Sequence, residues 1–395
     1  MKTQVGIIGL GKRGTSLLRE VVLPLGMAEI VAVCDLYEDR MDRGCSIVEQ
    51  AQGTTPKKFE NYKDLIDYDE VEAVLVYSAW DNHVDSSVYA MQKGKPVGME
   101  VCGAYCIEDC FRLVKAYEDT KTPFMFLENC CYGRRELMVK KMVEEGLFGE
   151  IVHASGGYHH DLRPEVTTGQ EKRHYRFNNY KNRNCENYPT HELGPIAKVL
   201  GINKNNRMLY LTSTASKSVG LHDYIEKNMP DREDLMNTVF AQGDIVTTVI
   251  KCEQGQTITL TLDTSLPRFY SRGFNIRGTN GMYDEATDSV FIDSKEDMDF
   301  DLTWRTDCGG NASKYEEKYE SDIWKKALAA ERTDGHGGID FLTHEAFFTN
   351  LQQGLTMDID VYDAAAWMCI TPLSEESIKN GSKPVEIPDF PINRK

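Results

Sequence analysis

The apolar run Val5-Gly6-Ile7-Ile8 leads directly into Gly9-x-Gly11-x-x-Gly14, and that pairing leaves few folds open. A buried strand must end there and a helix must begin, because the three glycines have separate tasks. Gly9 permits the tight turn, Gly11 lets backbone approach a pyrophosphate, and Gly14 allows close packing of helix on strand. The helix start then offers free N–H groups and a positive dipole end to phosphates. Asp35 closes a second apolar run, Ile30 to Cys34, 21 residues after Gly14. A carboxylate placed there grips the hydroxyls of a ribose. Leu36 and Tyr37 follow it rather than an arginine, which favours NAD over NADP, whose 2′-phosphate Asp35 would repel. The expected cofactor is therefore NAD.

Further apolar runs continue the βα rhythm over the first ~130 residues. Val71 to Tyr77, Pro96 to Met99 and Phe124 to Leu127 read as strands, with helical stretches such as Ser86 to Gln92 and Glu108 to Glu118 between them. Fully apolar strands in repeated βαβ units imply a doubly wound parallel sheet covered on both faces. After a linking helix, Arg134 to Glu145, the texture changes. "DIVTTVIKC-EQGQ-TITLTLDTS" alternates about a glycine-bearing turn and "FNIRGTNGMY" about Asn280-Gly281, so both read as antiparallel hairpins. Two helices, Ile339 to Leu351 and Val361 to Ile378, close the chain; residues 293 to 333 read as acidic and irregular. A chain of 395 residues is too long for one small core. The expectation is an α/β Rossmann domain over 1–130, then an α+β domain over 131–395 built on an open, mostly antiparallel sheet, for substrate binding and oligomerisation.

A formal charge of −17 argues against nucleic acid and anionic membrane surfaces as partners. A neutral sugar is compatible with it. No run reaches the roughly 18 apolar residues of a bilayer span. The segment after Lys2 is broken by glycine and followed by Lys12 and Arg13, so it reads as strand and turn rather than as a leader. A cytoplasmic address is expected. The 11 cysteines form no paired framework and are expected to be reduced and mostly buried. Cys102, Cys106 and Cys110 recur at helical spacing, which reads as one face of a core helix; no metal site is expected.

Ligands of open α/β sheets sit outside the carboxyl ends of the strands. Two more strand ends, "SAWDNH" (78–83) and "GMEVCGA" (98–104), should therefore line the NAD crevice. Trp80 could flank the nicotinamide ribose, and Glu100 could take a hydroxyl. Farther on, "ENYPTHELGP" sets Tyr188 and His191 three residues apart around Pro189, at the start of a helix ending at Gly201. Such a pair is either a decorated helix start or an acid and a base. His159 and His160 read as polar-loop residues, and Asp161 with Arg163 as a structural ion pair.

A Rossmann half followed by an open sheet resembles the Gfo/Idh/MocA family of sugar and inositol dehydrogenases. That family usually carries Glu-Lys-Pro at the end of the fifth strand, with the lysine helping the hydroxyl that is oxidised. Here Glu100-Val101-Cys102 stands there, and the lysine is missing. The chain is similar over nearly its full length to glycoside hydrolase family 109, the NAD-dependent α-N-acetylgalactosaminidases. The resemblance rests on "AWDNH", "MEV", "LENCCYGRRE", "EGLFGEIVHASGGYHHDLR", "NYPTHELGP", "DTSLPRFYSRGFNIRGTNG", "GHGGIDF" and "DVYDAAAW". It implies that Arg13, Asp35, Trp80, His83, Glu100, Val101 and Asn129 contact NAD. It implies that Tyr158, Arg176, Tyr188, His191 and Tyr270 contact the sugar, with Glu128 at another active-site position.

The mechanism it implies departs from the usual two carboxylates of glycosidases. The C3 hydroxyl is oxidised, the ketone acidifies C2–H, the C1 substituent is eliminated, water adds, and the hydride returns. His191 suits the C3 hydroxyl, since imidazole titrates near neutrality. Tyr158 is the first candidate for the C2 proton, with Tyr270 as its rival, and Arg176 can donate to the substrate. The competing expectations are a net sugar or polyol dehydrogenase and a non-catalytic sugar or NAD sensor. A homo-oligomer, dimer or tetramer, is expected to form through the exposed sheet.

Overall fold

The computed structural model describes residues 2–293, 309–332 and 335–390, and the chain divides into two compact units. The first comprises the residues up to Gly133 together with Asp322–Met368; the second comprises Arg134–Ser321 with Cys369–Asp389. The boundary was expected near 130, and the division falls after Gly133. The assignment of everything beyond it to one domain needs correction, because Asp322–Met368 packs with the first unit. Its reason is apolar burial: Trp367 is fully buried with its ring 6.2 Å from that of Phe126, and Phe347 lies against Gly98.

Among the described residues the first unit holds six parallel strands: β1 (Thr3–Ile8), β2 (Ala28–Cys34), β3 (Lys57–Phe59), β4 (Ala73–Val76), β5 (Val97–Met99) and β6 (Phe124–Phe126). Their order is β3-β2-β1-β4-β5-β6, so the chain reverses its winding beside β1 and opens the crevice expected there. β1 and β4 bury every residue of their central stretch, as strands covered on both faces must. β3 escaped sequence reading because Lys57-Lys58-Phe59 is short and exposed at the sheet edge.

In the second unit an eight-stranded sheet runs β13-β12-β11-β7-β10-β9-β8-β14. Its members are β7 (Ile151–His159), β8 (Met208–Ala215), β9 (Ile245–Cys252), β10 (Thr257–Asp263), β11 (Asn275–Gly278), β12 (Gly281–Asp284), β13 (Ser289–Ile292) and β14 (Val385–Glu386). Both expected hairpins form: β9 with β10, and β11 with β12. Among the described strands of this sheet only β7 and β10 pair in parallel. Alternation sets the two faces of the sheet. Val246, Thr248 and Ile250 face inward and are buried, while Thr247, Val249 and Lys251 face out. The helices Thr190–Leu200 and Ile370–Lys379 pack against β7 and β8.

Three expectations change. Val361 to Ile378 is two helices, Val361–Met368 and Ile370–Lys379, rather than one. The stretch read as irregular contains the helix Asp322–Ala329, whose Trp324 donates to the carbonyl of Tyr132; residues 294–308 and 333 of it lie outside the described residues. The three cysteines share no helix face. Cys102 sits in a loop with φ +62°, Cys106 caps the helix Ile107–Thr120, and only Cys110 is buried within it. Spacing alone could not reveal this, because the left-handed Cys102 breaks the period before the helix begins. Among the described residues no helix is long and apolar enough to cross a membrane.

Candidate active site

In the first unit the glycine turn is built as the motif requires. Gly9 has φ +98°, and a Cβ there would fall 2.4 Å from the backbone nitrogen of Ser78. A Cβ on Gly14 would fall 2.2 Å from the carbonyl of Gly9, so only glycine lets the helix Lys12–Leu17 lie this close to the strand end. Gly11 differs, since a Cβ on it would meet nothing closer than Arg40 Nη1 at 3.7 Å. The space above Gly11 is what a pyrophosphate needs, so the cradle fits the dinucleotide.

Asp35 accepts the Leu10 N–H at 2.8 Å on Oδ2 and the Tyr37 N–H at 3.1 Å on Oδ1. Both loops of the ribose site are thereby tied to one carboxylate, whose remaining lone pairs are open to hydroxyls. The absence of an arginine next in sequence is misleading. The helix Glu38–Gln52 carries Arg40 back to 3.9 Å from Asp35 Oδ1, with its guanidinium 4.8 Å from the centre of the Tyr37 ring.

Arg13, Glu100 and Asn129 meet through a residue that sequence reasoning missed, Asp340. Arg13 donates to Glu100 Oε1 (2.9 and 3.1 Å) and, with two nitrogens, to both oxygens of Asp340 (2.6 and 2.7 Å). Asn129 Nδ2 adds 2.6 Å to Asp340 Oδ1, and His336 Nδ1 lies 2.7 Å from Oδ2. Burial alone would push the Asp340 carboxyl up, but Arg13 and His336 hold it well below the usual carboxylate range. The available signal was "GHGGIDF", which contains both His336 and Asp340.

The two crevice loops are clipped together by His83. Its ring nitrogens face the carbonyls of Ser78 (2.9 Å) and Cys102 (3.1 Å), and burial lowers its pKa. Gly103, at φ +118°, is glycine because a Cβ would strike His83 Cβ at 2.6 Å. Trp80 opens the helix Trp80–Gln92 and is buried, and Val101 donates its N–H to Glu100 Oε2 at 3.0 Å. Glu128 has a structural duty: fully buried, it accepts the Cys130 N–H at 3.2 Å and caps the turn Asn129–Tyr132.

The second unit gathers the residues assigned to the sugar. Tyr158 stands near the end of β7, Tyr188 just before the helix Thr190–Leu200, and His191 in its first turn. The two tyrosine rings stack at 4.3 Å and 22°, and His191 packs edge-on to both, 4.7 Å from Tyr188 and 5.5 Å from Tyr158. The segment before them is pinned: Glu186 N donates to Ser374 Oγ (2.8 Å), and Asn187 Nδ2 donates to Gln242 (2.5 Å). Burial pushes the Glu186 carboxyl up to about 8, with the Tyr188 backbone N–H working against the rise.

Arg176 places its guanidinium 5.3 Å from the Tyr188 ring centre and donates to Glu165 Oε1 at 2.5 Å. Burial works against its charge, yet the neighbouring Tyr175, Tyr158, Glu165 and Tyr188 raise its pKa well above the ordinary value. Tyr270 is half exposed and meets the cluster through His160, whose ring lies edge-on at 5.3 Å. His160 therefore belongs to this cluster, and its reading as a plain loop residue is corrected. Its Nδ1 lies 3.0 Å from the Tyr158 hydroxyl. His159 is structural, bonded to Ser271 Oγ at 3.1 Å. Asp161 and Arg163 form the expected ion pair, at 2.7 and 2.8 Å.

Known proteins share both halves. An oxidoreductase family with an NAD-binding Rossmann fold matches residues 3–127, and the family described as glycosyl hydrolase 109, C-terminal domain, matches 132–394. A glycosyl hydrolase family 109 protein of Stenotrophomonas maltophilia is 36% identical over 98% of this chain and 89% of its own length. An alpha-N-acetylgalactosaminidase of Tannerella forsythia is 34% identical over 98% and 85%. A levoglucosan dehydrogenase solved with NADH and L-sorbose shares the fold at a TM-score of 0.71 with 16% identity, covering 98% of this chain and 100% of that one. Scyllo-inositol dehydrogenase from Lactobacillus casei, with NAD(H) and scyllo-inositol, does so at 0.68 and 14%, covering 98% and 99%. A matched C-terminal family joined to an NAD-binding Rossmann unit, with relatives this similar end to end, leaves one assignment: the chain belongs to glycosyl hydrolase family 109, an NAD-dependent glycosidase on the Gfo/Idh/MocA fold.

Proposed function

We propose that the protein hydrolyses terminal α-N-acetylgalactosaminides by oxidation at C3, elimination across C1–C2, hydration and reduction. The observation that carries the reading is the stacked Tyr158–Tyr188 pair flanked by His191 and Arg176, in a chain whose Rossmann unit has Val101 where a dehydrogenase would place lysine. Relatives named alpha-N-acetylgalactosaminidase, from Tannerella forsythia and Shewanella oneidensis, support the choice of sugar.

Bound NAD supplies a hydride acceptor for C3 and returns the same hydride, so none is consumed. Arg13, Asp35, Glu100, Asn129 and the glycine turn would hold it. His191 takes the C3 hydroxyl proton, the task left open by the missing lysine. Tyr158 takes the C2 proton. A phenol has an ordinary pKa of about 10, so it needs a cation nearby, and Arg176 stands in its cluster. Arg176 and Tyr188 orient the sugar, and Tyr270 borders the site from its exposed loop. A second copy of the chain would pair on the outward sheet face bearing Tyr210 and Val249; light scattering reads that state.

The test is purified protein with an aryl α-N-acetylgalactosaminide and no added NAD. Aryl release without NADH build-up, and solvent deuterium at C2 of the product, are expected. Stoichiometric NADH from free sugar would replace this reading with a dehydrogenase. Silence across a panel of sugars and both anomers would leave a sensor.

A further inference from the structure

We propose that His160 is the proton acceptor that makes Tyr158, rather than Tyr270, the base at C2. The inference rests on the glycosidase reading above. Its geometric basis is asymmetric. Both tyrosines touch the His160 ring, but only Tyr158 reaches a ring nitrogen, 3.0 Å from hydroxyl to Nδ1, whereas Tyr270 meets the ring edge-on at 5.3 Å. Tyr158 is buried and stacked on Tyr188, so its hydroxyl is held in direction; Tyr270 is half exposed on its loop. A phenol is a far stronger acid than the N–H of neutral imidazole, so the Tyr158 O–H donates and Nδ1 accepts.

The surroundings keep His160 neutral and ready. Burial lowers its pKa, Arg176 and His191 lower it further, and Glu165 and Asp161 oppose them. Those four, with Tyr158 and Tyr270, are titratable and charged groups that face it. In the 3-keto sugar the C2–H bond breaks and that proton bonds to Tyr158 Oη. The Oη–H bond breaks in turn, and its proton bonds to His160 Nδ1. The C–H electron pair becomes the C1–C2 double bond as the C1–O bond breaks, and the departing oxygen takes a proton from water. Hydroxide then adds to C1, C2 recovers its proton from Tyr158, and Tyr158 recovers one from the imidazolium. Because His160 acts through Tyr158, it is a positioning and relay residue rather than a catalytic one.

The test pairs His160→Asn, which can accept a hydrogen bond but no proton, with His160→Phe. Both variants are expected to lose about 10²–10³-fold in kcat with KM little changed. C2 proton removal should become slower, so the isotope effect on a 2-deuterated substrate rises and the acidic limb of the kcat profile disappears. Independently of turnover, 15N NMR of histidine-labelled wild type should show Nδ1 of His160 as a hydrogen-bonded acceptor, a signature lost in Tyr158→Phe. Wild-type kcat, isotope effect and pH profile in His160→Asn would overturn the relay while leaving the glycosidase standing. A protonated Nδ1 unaffected by Tyr158→Phe would overturn it too. The NMR signature in a protein that releases no aryl group would overturn the function itself, and with it the assignment to C2.

Discussion

Replacing Glu186 with glutamine should remove a pH-dependent instability from the second unit. Glu186 is 1% exposed, and burial lifts its carboxyl from the ordinary 4.5 to about 8. At about 1.4 kcal/mol per pH unit, the folded chain disfavours this carboxylate by about 5 kcal/mol relative to the unfolded chain. The sign follows from proton counting. Between pH 4.5 and 8 the folded state holds a proton here that the unfolded state has lost, so stability falls as pH rises through that window. At pH 7 about 3 kcal/mol is already gone. Glu186→Gln keeps the shape without the charge, so it should match wild type near pH 4.5 and exceed it by about 3 kcal/mol at pH 7. Urea denaturation at pH 5, 6, 7 and 8, followed by tryptophan fluorescence and by hydrogen exchange in residues 185–200, reads the difference. Buried His83 and half-buried His159 and His160 have lowered pKa values and tilt the curve the other way, but they do so equally in both proteins. Parallel curves for the two proteins would refute the argument, because they would mean that Glu186 is stably ionised in the folded state.

Gly14→Ala forces a Cβ to 2.2 Å from the Gly9 carbonyl and should destabilise the first unit by about 1–3 kcal/mol, read as a lowered Tm. Gly11→Ala has room and should keep Tm while weakening NAD binding at least tenfold by calorimetry, since its Cβ fills the phosphate space. Asp35→Ser should weaken NAD binding and move preference toward NADP, because Arg40, 3.9 Å away, can then meet a 2′-phosphate; unchanged selectivity in cofactor titrations would contradict this. Asp340→Asn breaks the anchor of Arg13 and should cost about 3 kcal/mol at neutral pH. Since the Asp340 carboxyl is held below its ordinary 3.8, the deficit should persist above pH 4 and shrink below it, as measured by acid titration of stability.

Local rules sufficed wherever one stretch of chain decides its own shape. The glycine turn, the apolar strands, the β9–β10 hairpin and the Pro189 helix start were legible because strand period, turn chemistry and helix capping act over a few residues. NAD was legible too, since Gly9, Gly11, Gly14 and Asp35 lie within one βαβ unit. What escaped was set by contacts between distant segments. Asp340 is 327 residues from Arg13, and nothing near either residue announces the other. Arg40 returns to Asp35 only because the intervening turn leads into a helix. His160 looked like one polar residue among many until the end of β7 placed it between Tyr158 and Tyr270. Cys102 misled for the converse reason, a helical spacing laid across a left-handed loop residue. Sequence by itself determined most of the elements and the cofactor; tertiary structure alone decided which charges and rings meet, because burial and Coulomb interactions depend on distance in space rather than along the chain.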